Sequence, residues 1–557
     1  MYKKILTVLF FVTVSLLLVS CDETEISTQT QSSTTSTAVS ETVSVFDLVD
    51  SEINFEDGFY EDYENDSYVT LDGSSESYEI SVSGTYVLTG TITETVVVNV
   101  AGDKDVRLVL NNVTIDAGEN QAILVLSADE LYISVPEGTN NYLSDSETYT
   151  AESIEYNATI YCETDLIING TGYLEVTGNY NNAIQSKDDL MICGVTLDVT
   201  SVDDGIIGRD SLLIQNATIT LNTLGDGLKS TNIDNTEEGY IYIESGVFTL
   251  ESGADAIDAV NYIVIVDGTF AIEAYSNALK SNTDIYISGG NFDISTHGDS
   301  ISADQLVYIS GGVFEITTLD DAIKGGVEII IDGSEINILD CYEGIEAPII
   351  TINGGVITIV ASDDGINAAD GTGGSQDPTT QTSSTGTLYI NGGLITVSAD
   401  GDCLDVNGVI YMTGGELYAY GLSSAPDSAI DYNQACYISG GVIFGVGSSR
   451  MAMAPDDTSE QSSIMLILNS DLSSNTVVTL SDSEGAVIFE ATTQRSGDNI
   501  VISTDALTVG EDYTVELDGV LDLNFTLETN VTYLDEYGIT DELVEENPSG
   551  GGGVRPR

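Results

Sequence analysis

The chain has 557 residues, of which 42% are hydrophobic and 19% charged, a composition typical of a packed protein rather than a disordered one. It carries 13 Lys and Arg against 91 Asp and Glu, so its formal net charge is −78. Nucleic acids and anionic lipid surfaces are bound through basic surfaces, so this charge argues against direct binding to either and favours cations as partners.

The chain begins with an export signal. Lys3 and Lys4 precede an apolar run over residues 5–19, and the segment ends in Leu-Val-Ser-Cys at residues 18–21. This ending resembles the bacterial lipobox, which predicts that residues 1–20 are removed and that Cys21 is lipidated. The expected location is the outer face of the bacterial membrane, at the cell surface, with the lipid anchor as the only membrane contact. A plain cleaved signal or an anchor helix is the alternative.

The segments next to both termini are low in apolar residues. Residues 21–52, rich in Ser and Thr, are predicted to be a flexible tether, and residues 546–557 a disordered tail. Five further cysteines are widely spaced and form no CxxC pair, so buried free thiols are favoured over a disulfide framework. These cysteines are Cys162, Cys193, Cys341, Cys403 and Cys436.

A repeat of about 22 residues organises the centre of the chain. The segments DIYISGGNFDISTHGDSISAD (284–304) and LVYISGGVFEITTLDDAIKGG (306–326) each contain a strand pattern, a Gly-Gly turn, an alternating strand and an acidic turn. We call the acidic turn position the marker. The markers are Asn182, Asp204, Asp226, Asp255, Asn277, Asp299, Asp321, Glu343, Asp364 and Asp402. Insertions around 231–238 and 370–386 account for the two longest steps.

This period predicts an all-β fold, a right-handed parallel β-helix of about a dozen coils. Equivalent residues of successive coils would stack about 4.8 Å apart. Phe248, Phe270, Phe292 and Phe314 are each 22 residues apart and are predicted to form an inward stack. The predicted domains are an N-terminal β cap at 53–115, the β-helix at 116–455 and a small C-terminal β domain at 456–545.

Stacking would place the marker carboxylates in a column on one edge. Two unit charges about 5 Å apart repel by roughly 3 kcal/mol at an effective dielectric near 20, so the column needs cations, lysines or raised pKa values. Calcium suits such oxygen ligands. The alternative is that Asp and Asn are simply favourable turn residues. The candidate metal ligands are Asp203, Asp204, Asp226, Asp255, Asp299, Asp320, Asp321, Asp363, Asp364 and Asp402.

Lysines and tyrosines are the other candidate binding residues. Lys229, Lys280 and Lys324 each follow a marker by three residues and would either compensate its charge, contact a sugar carboxylate, or act as the base of a lyase. Tyrosines recur at one strand position and would form an outward strip that stacks on sugar rings or serves as a cross-strand ladder. These tyrosines are Tyr286, Tyr308, Tyr389 and Tyr411, with Tyr242 and Tyr437 at the same position.

Several segments together resemble a bacterial family of carbohydrate-binding β-helix proteins that bind cellulose and acidic plant polysaccharides such as polygalacturonate. The similar stretches are GTYVLTGTI (84–92), DVRLVLNNVTI (105–115), NGTGYLEVTGNYNNAIQSKDDLMI (169–192), DDGIIGRDSLLI (203–214), GDGLKSTN (225–232), GGVITIVASDDGINAADG (354–371) and GSSRMAMAP (447–455). The resemblance implies a polysaccharide-lyase-like fold and bound Ca²⁺. The chain departs from the pattern at Asn182, Asn277 and Glu343, so the metal prediction omits those coils.

The expected function is therefore polysaccharide binding along a calcium-associated β-helix face, by a monomer that does not bind nucleic acid. A calcium-dependent polysaccharide lyase and a structural or adhesive surface protein are the alternatives. No motif selects one Lys as the base of an eliminating enzyme, so catalysis is left open.

Overall fold

The computed structural model describes residues 55, 63, 67–75, 77–151, 153–369, 385–424 and 427–540. Within these ranges the protein is all-β and contains no helix, so none that is long and apolar enough to cross a membrane. The predicted signal segment, Cys21, the tether and the C-terminal tail lie outside the described residues, as does most of the insertion around 370–386.

Three strands recur in each repeat, and each pairs with its equivalents in its own parallel row, here called sheets 1, 2 and 3. Sheets 1 and 2 are joined through Val106–Asp116, which pairs with a strand of each, so within the described residues they form one continuous 33-stranded sheet together with some of the C-terminal strands, and sheet 3 is a separate 15-stranded sheet. Sheet 1 contains Tyr68–Leu71, Gly84–Ile92, Val106–Asp116, Glu130–Val135, Asp165–Gly170, Asp189–Cys193, Ser211–Gln215, Tyr240–Ile243, Tyr262–Ile265, Asp284–Ile287, Leu306–Ile309, Glu328–Ile331, Ile349–Ile352, Thr387–Ile390, Val409–Met412 and Ala435–Ile438. Sheet 2 contains Asn140–Ser144, Tyr173–Gly178, Thr196–Ser201, Ala217–Thr223, Gly246–Ser252, Thr269–Ala274, Asn291–Thr296, Val313–Thr318, Glu335–Cys341, Val356–Ala361, Leu394–Ala399, Glu416–Tyr420 and Val442–Gly447. Sheet 3 contains Glu79–Ile80, Val96–Asn99, Ile123–Ser127, Ala158–Cys162, Asn182–Ser186, Ile206–Gly208, Leu228–Ser230, Ile257–Ala259, Leu279–Ser281, Ile301–Ala303, Ile323–Gly325, Ile345–Glu346, Ile366–Ala368, Leu404–Val406 and Asp431–Tyr432.

Strands pair with their equivalents one repeat later, in parallel and in register. Tyr286 pairs with Tyr308 in sheet 1, and Phe270 pairs with Phe292 in sheet 2, each 22 residues further along the chain. This is the pairing of a parallel β-helix or a similar solenoid. The predicted all-β class with long parallel sheets is confirmed at this level, while handedness, the number of coils and the caps stay predictions.

The core is built from the inward positions of these strands. Phe248, Phe270, Phe292 and Phe314 are buried and stacked with ring centroids 4.6 Å apart and interplanar angles of 2–3°. The predicted inward stack is confirmed. The turn before Phe292 requires glycine, because its backbone is left-handed and the ring of Phe292 leaves little space for a side chain. Gly290 has a φ of +106°, and a Cβ added there would lie 3.0 Å from the Phe292 ring.

The C-terminal strands follow a different pattern. Gly497–Ser503 pairs antiparallel with both Val442–Gly447 of sheet 2 and Ser463–Leu472, and Val531–Asp535 pairs with Ser463–Leu472 and with Gly538–Ile539. A separate four-stranded antiparallel sheet runs in the order Val487–Thr492, Val477–Asp482, Asp512–Leu517 and Leu521–Thr526. These strands share a second hydrophobic cluster. The five cysteines after Cys21 are buried free thiols, as predicted.

Candidate functional site

The markers lie in one column at the start of the sheet 3 strands. In eight of the coils the residue after the marker donates its backbone N–H to the carbonyl of the next marker, as from Gly205 to Asp226 at 2.8 Å and from Gly365 to Asp402 at 2.9 Å. The structure therefore brings the seven predicted marker aspartates together along one edge. Asp203, Asp320 and Asp363, the other predicted ligands, each lie one residue earlier in the turn.

Marker side chains also bind the backbone of the next coil. Oδ1 of Asp204 accepts the backbone N–H of Asp226 at 2.9 Å, and Oδ1 of Asp226 accepts that of Asp255 at 2.9 Å. The same bond runs from the Asn277 N–H to Asp255 and from the Asp402 N–H to Asp364. Each such carboxylate thus has one oxygen bound to the main chain. The repulsion expected from the sequence is reduced, because a charged hydrogen-bond acceptor is stabilised by a backbone donor.

Two of the predicted lysines neutralise part of this column. Nζ of Lys229 lies 3.0 Å from Oδ2 of Asp204 and 2.6 Å from Oδ2 of Asp226, and so bridges successive coils. Lys324 bridges Asp321 and Glu346 in the same way, at 2.6 Å from each. Charge compensation is therefore the geometry observed for these two lysines.

Lys280 is placed differently, because its Nζ lies 3.4 Å from the exposed carboxylate of Asp304 rather than near a marker. Burial alone lowers the pKa of Lys229 and of Lys324, but their hydrogen bonds to carboxylates outweigh burial and raise both pKa values. A lysine held in its protonated form is a poor base for proton abstraction, so this geometry does not favour the lyase interpretation.

The later part of the marker column has acids without a basic partner. Within the described ranges, no Lys or Arg side chain forms an ion pair with Glu343, Asp364 or Asp402. Burial, reinforced by neighbouring carboxylates, raises the pKa of Glu343 to about 8 and the pKa values of Asp364 and Asp402 to about 7. Added positive charge would therefore be favourable at these three groups.

An unpaired amide oxygen lies beside these acids. Asn367 is 9% exposed, and its Nδ2 donates to Oε2 of Glu343 at 2.8 Å, while its Oδ1 is buried without a hydrogen-bond partner. By the strand register, Asn367 stands between Glu346 and Asp405 on the outer side of sheet 3. An oxygen without a donor among carboxylates fits a bound cation, because cations are coordinated by such oxygens.

The structure adds acidic residues that the sequence analysis did not select. Ligand oxygens lie within 4.8 Å of one another in four groups: Asp165, Asp188 and Asp189; Asp226, Asp255 and Asp258; Asp299, Asp320 and Asp321; and Asp321, Glu343 and Glu346. Burial raises the pKa values of Asp165 and Asp258 to about 7. Asp258 and Glu346 follow their markers by three residues, the lysine position, so the same repeat arithmetic could have found them.

The tyrosines do not form one continuous exposed strip. Tyr286 is only 7% exposed, because its ring packs edge-on near Tyr308 and its hydroxyl donates to Asp284 at 3.0 Å. The expectation that Tyr286 faces a ligand is therefore corrected. Tyr242 is also buried, at 1% exposure, and Phe55 lies against it with the ring centroids 6.1 Å apart.

Later in the chain the tyrosines do face outward, as Tyr389, Tyr411 and Tyr437 are each 37% exposed. Their centroids are 5.3 and 5.6 Å apart, with interplanar angles of 11° and 28°. Both faces of Tyr411 are thus turned towards neighbouring rings. The strip presents ring edges rather than faces to solvent, which favours the cross-strand ladder interpretation.

Comparison with known proteins relates the chain to a carbohydrate-binding family. A family model described as carbohydrate-binding domain-containing protein matches residues 74–322 and 261–375, which together span more than half of the chain. A carbohydrate-binding domain-containing protein of Acetivibrio thermocellus is 36% identical over 194 residues, covering 34% of this chain and 68% of the relative. A solved structure titled as a polysaccharide lyase-like protein from C. thermocellum, gadolinium derivative, has a TM-score of 0.38 at 28% identity, covering 40% of this chain and 96% of that one. On the family match and the curated relative, the chain belongs to the family of carbohydrate-binding domain-containing proteins.

Proposed function

We propose that this protein binds polysaccharide along its stacked coils and that Ca²⁺ bound at the marker column supports this role. Family membership is the observation that carries the carbohydrate part of the proposal. The column of carboxylates carries the calcium part. Cellulose and acidic plant glycans such as polygalacturonate are the proposed ligand classes.

The calcium proposal centres on the unneutralised acids. Glu343, Asp364 and Asp402 have pKa values raised to about 7–8, and Oδ1 of Asn367 lies buried without a partner beside Glu343. These residues offer oxygen ligands only, as Ca²⁺ prefers. Bound Ca²⁺ would supply positive charge at this edge. Glu343 would hold it with Asp321 and Glu346, whose carboxylate oxygens lie within 4.8 Å of one another, and Asp364 and Asp402 lie one and two coils further on.

The net charge constrains how an acidic glycan could bind. At −78, the protein repels polygalacturonate unless a divalent ion bridges the two sets of carboxylates. A neutral glucan has no such requirement. Binding of polyuronate should therefore depend on calcium, while binding of cellulose should depend on it only through the stability of the coils.

The test is a binding assay on the chain from residue 22 onward, with cellulose and polygalacturonate as solid phases, in excess CaCl₂ or in EGTA. We expect retention on at least one polymer in calcium and loss of polygalacturonate retention in EGTA. Retention on neither polymer would contradict the proposal and leave the structural or adhesive alternative. Release of unsaturated sugars from uronate polymers would instead support the lyase.

A matched pair of variants tests the calcium residues. The triple variant Glu343→Gln, Asp364→Asn and Asp402→Asn removes three ionisable carboxyl groups at the column, and the control Asp505→Asn, Glu511→Gln and Glu516→Gln removes three from exposed C-terminal residues. We expect titration calorimetry with CaCl₂ to lose one class of sites in the first variant only. Equal calcium binding by both variants would refute this placement.

We further propose that the protein is exported and anchored through Cys21, as its N-terminal sequence suggests. Metabolic labelling with a palmitate analogue should mark the native chain and leave Cys21→Ala unlabelled. A labelled Cys21→Ala chain would contradict the proposal.

A further inference from the structure

A line of exposed apolar side chains runs beside the marker column. Leu224, Tyr275 and Leu319 are 68%, 69% and 68% exposed, and each lies two residues before a marker. His297 holds the same position in the coil between Tyr275 and Leu319, with its exposed ring centroid 5.0 Å from that of Tyr275. We call these four residues the apolar ridge. Neither the marker column nor the outward tyrosines include them.

The backbone places the ridge in register. The N–H of Leu224 donates to the carbonyl of Ser201 at 3.2 Å, and the N–H of Tyr275 donates to that of Ser252 at 2.9 Å, so both residues leave sheet 2 at the same point of the coil. From Leu224 to Leu319 the ridge crosses four coil steps, about 19 Å at the usual strand spacing. Gly253 fills the one intervening position.

A row of mostly small residues lies between the apolar ridge and the marker column. From the Leu224 coil to the His297 coil, the residue before the marker is Gly225, Ala254, Ser276 or Gly298. In the Leu319 coil it is the exposed Asp320. A Cβ at Gly225 would lie only 2.6 Å from Oδ1 of Asp204, so the close approach of neighbouring coils requires glycine there. A ligand lying along the ridge could therefore approach the backbone.

Most of the marker residues that follow these small residues offer carboxylates as hydrogen-bond acceptors. Asp226, Asp255 and Asp299 present carboxylates to this edge, and one oxygen of Asp226 and of Asp255 already accepts a backbone N–H. The nearby Lys229 and Lys324 are each held by two carboxylates. The third lysine beside the ridge, Lys280, pairs with Asp304 at 3.4 Å. The surface therefore combines apolar contact area with acceptors for hydroxyl donors, and each of the three lysines described beside it is paired with a carboxylate.

We infer that the apolar ridge is the contact surface for a neutral polysaccharide, whose C–H ring faces pack on Leu224, Tyr275 and Leu319 while its hydroxyls donate to the neighbouring carboxylates. Exposed apolar side chains aligned in register along successive coils offer a contact surface, and sugar rings have both apolar faces and hydroxyl edges. This inference rests on the proposed function and specifies its surface and ligand class. An acidic glycan is disfavoured there because its carboxylates would face those of the markers.

The test is affinity electrophoresis of the chain from residue 22 onward in gels containing soluble hydroxyethyl cellulose or polygalacturonate, with CaCl₂ throughout. The ridge variant is Leu224→Ser, Tyr275→Ser and Leu319→Ser. The control is Val247→Thr, Val313→Thr and Val356→Thr, three residues on sheet 2 that are 50%, 44% and 47% exposed. We expect the ridge variant to lose about tenfold or more in affinity for the cellulose derivative, because the apolar contacts are removed. The control should bind as the unmodified chain does, and thermal unfolding should be similar for all three.

The outcomes separate the inference from the function on which it rests. If the unmodified chain is retarded by neither polymer, both the proposed function and the inference fail. If it is retarded and the ridge variant is retarded equally, the inference alone fails. If the ridge variant loses only polygalacturonate binding, the assignment to a neutral ligand is wrong.

Discussion

The carboxylate of Asp364 accepts the backbone N–H of Asp402 through Oδ1, at 2.7 Å, across one coil step. The same bond links Asp226 to Asp255 at 2.9 Å. A marker side chain is thus a structural acceptor for the next coil as well as a charge. These two roles can be separated, because asparagine keeps the oxygen and removes the charge.

Substitutions at Asp364 should distinguish the effect of its hydrogen bond from the effect of its charge. In EDTA at pH 8, we expect Asp364→Ala to lower the free energy of unfolding by about 1–2 kcal/mol, since the N–H of Asp402 loses its acceptor. Asp364→Asn should be at least as stable as the unmodified chain, because the acceptor remains and the repulsion is relieved. Urea unfolding followed by circular dichroism measures both. An equal loss in the two variants would mean that charge, not the backbone bond, matters.

Stability should fall as pH rises when no divalent ion is present. Burial raises the pKa of Glu343 to about 8 and the pKa values of Asp364 and Asp402 to about 7, whereas carboxyl groups in an unfolded chain titrate near about 4. The folded chain therefore holds more protons than the unfolded chain between these limits. The resulting stability is present below about pH 4 and is lost as pH rises through 7–8. The melting temperature in EDTA should be higher at pH 5 than at pH 8, and a flat profile would contradict this.

Calcium should reverse that loss. Because binding to the folded chain alone stabilises it by mass action, CaCl₂ should raise the melting temperature. Its effect should be larger at pH 8 than at pH 5, where protons compete for the same carboxylates. MgCl₂ at the same concentration is the control, since Mg²⁺ demands a stricter geometry. If CaCl₂ raised the melting temperature equally at the two pH values, Ca²⁺ would have to bind at groups other than these carboxylates.

Lys229 should matter more for stability than Lys280. Lys229 bridges the partly buried carboxylates of Asp204 and Asp226, so Lys229→Met leaves two like charges without their cation. We expect a loss of about 1–2 kcal/mol in the free energy of unfolding in EDTA at pH 8. Lys280→Met is the matched control, because its partner Asp304 is exposed, and it should cost less than about 0.5 kcal/mol. A similar loss in both variants would contradict the bridging role.

The phenylalanine stack should be sensitive to truncation. Phe292 lies between Phe270 and Phe314 with centroids 4.6 Å from each, so Phe292→Ala leaves a cavity inside the coil. The expected loss is about 3–5 kcal/mol in the free energy of unfolding, and Phe292→Leu should lose less because it refills part of the space. Thermal and urea unfolding check both variants. A loss below 1 kcal/mol for Phe292→Ala would argue against tight packing there.

Much of the site could be located from the spacing of residues. A period of 22 placed Phe270 with Phe292 and Asp299 with Asp321, and the structure pairs these same coils. The same spacing, applied three residues after each marker, would have added Asp258 and Glu346. Exposure was harder to predict. Tyr286 and Tyr389 share one repeat position, yet Tyr286 is 7% exposed and Tyr389 is 37% exposed. What covers an outward position depends on neighbours that the repeat does not specify.

The sequence alone determined the parallel stacking of repeats and the alignment of acidic turns, because a constant period brings equivalent residues together whatever their surroundings. Only the tertiary structure decided which carboxylates are neutralised by Lys229 and Lys324, which remain without a basic partner, and where apolar side chains stay exposed. Those outcomes depend on distances of a few ångströms between coils and on burial, and both arise only when the chain has folded.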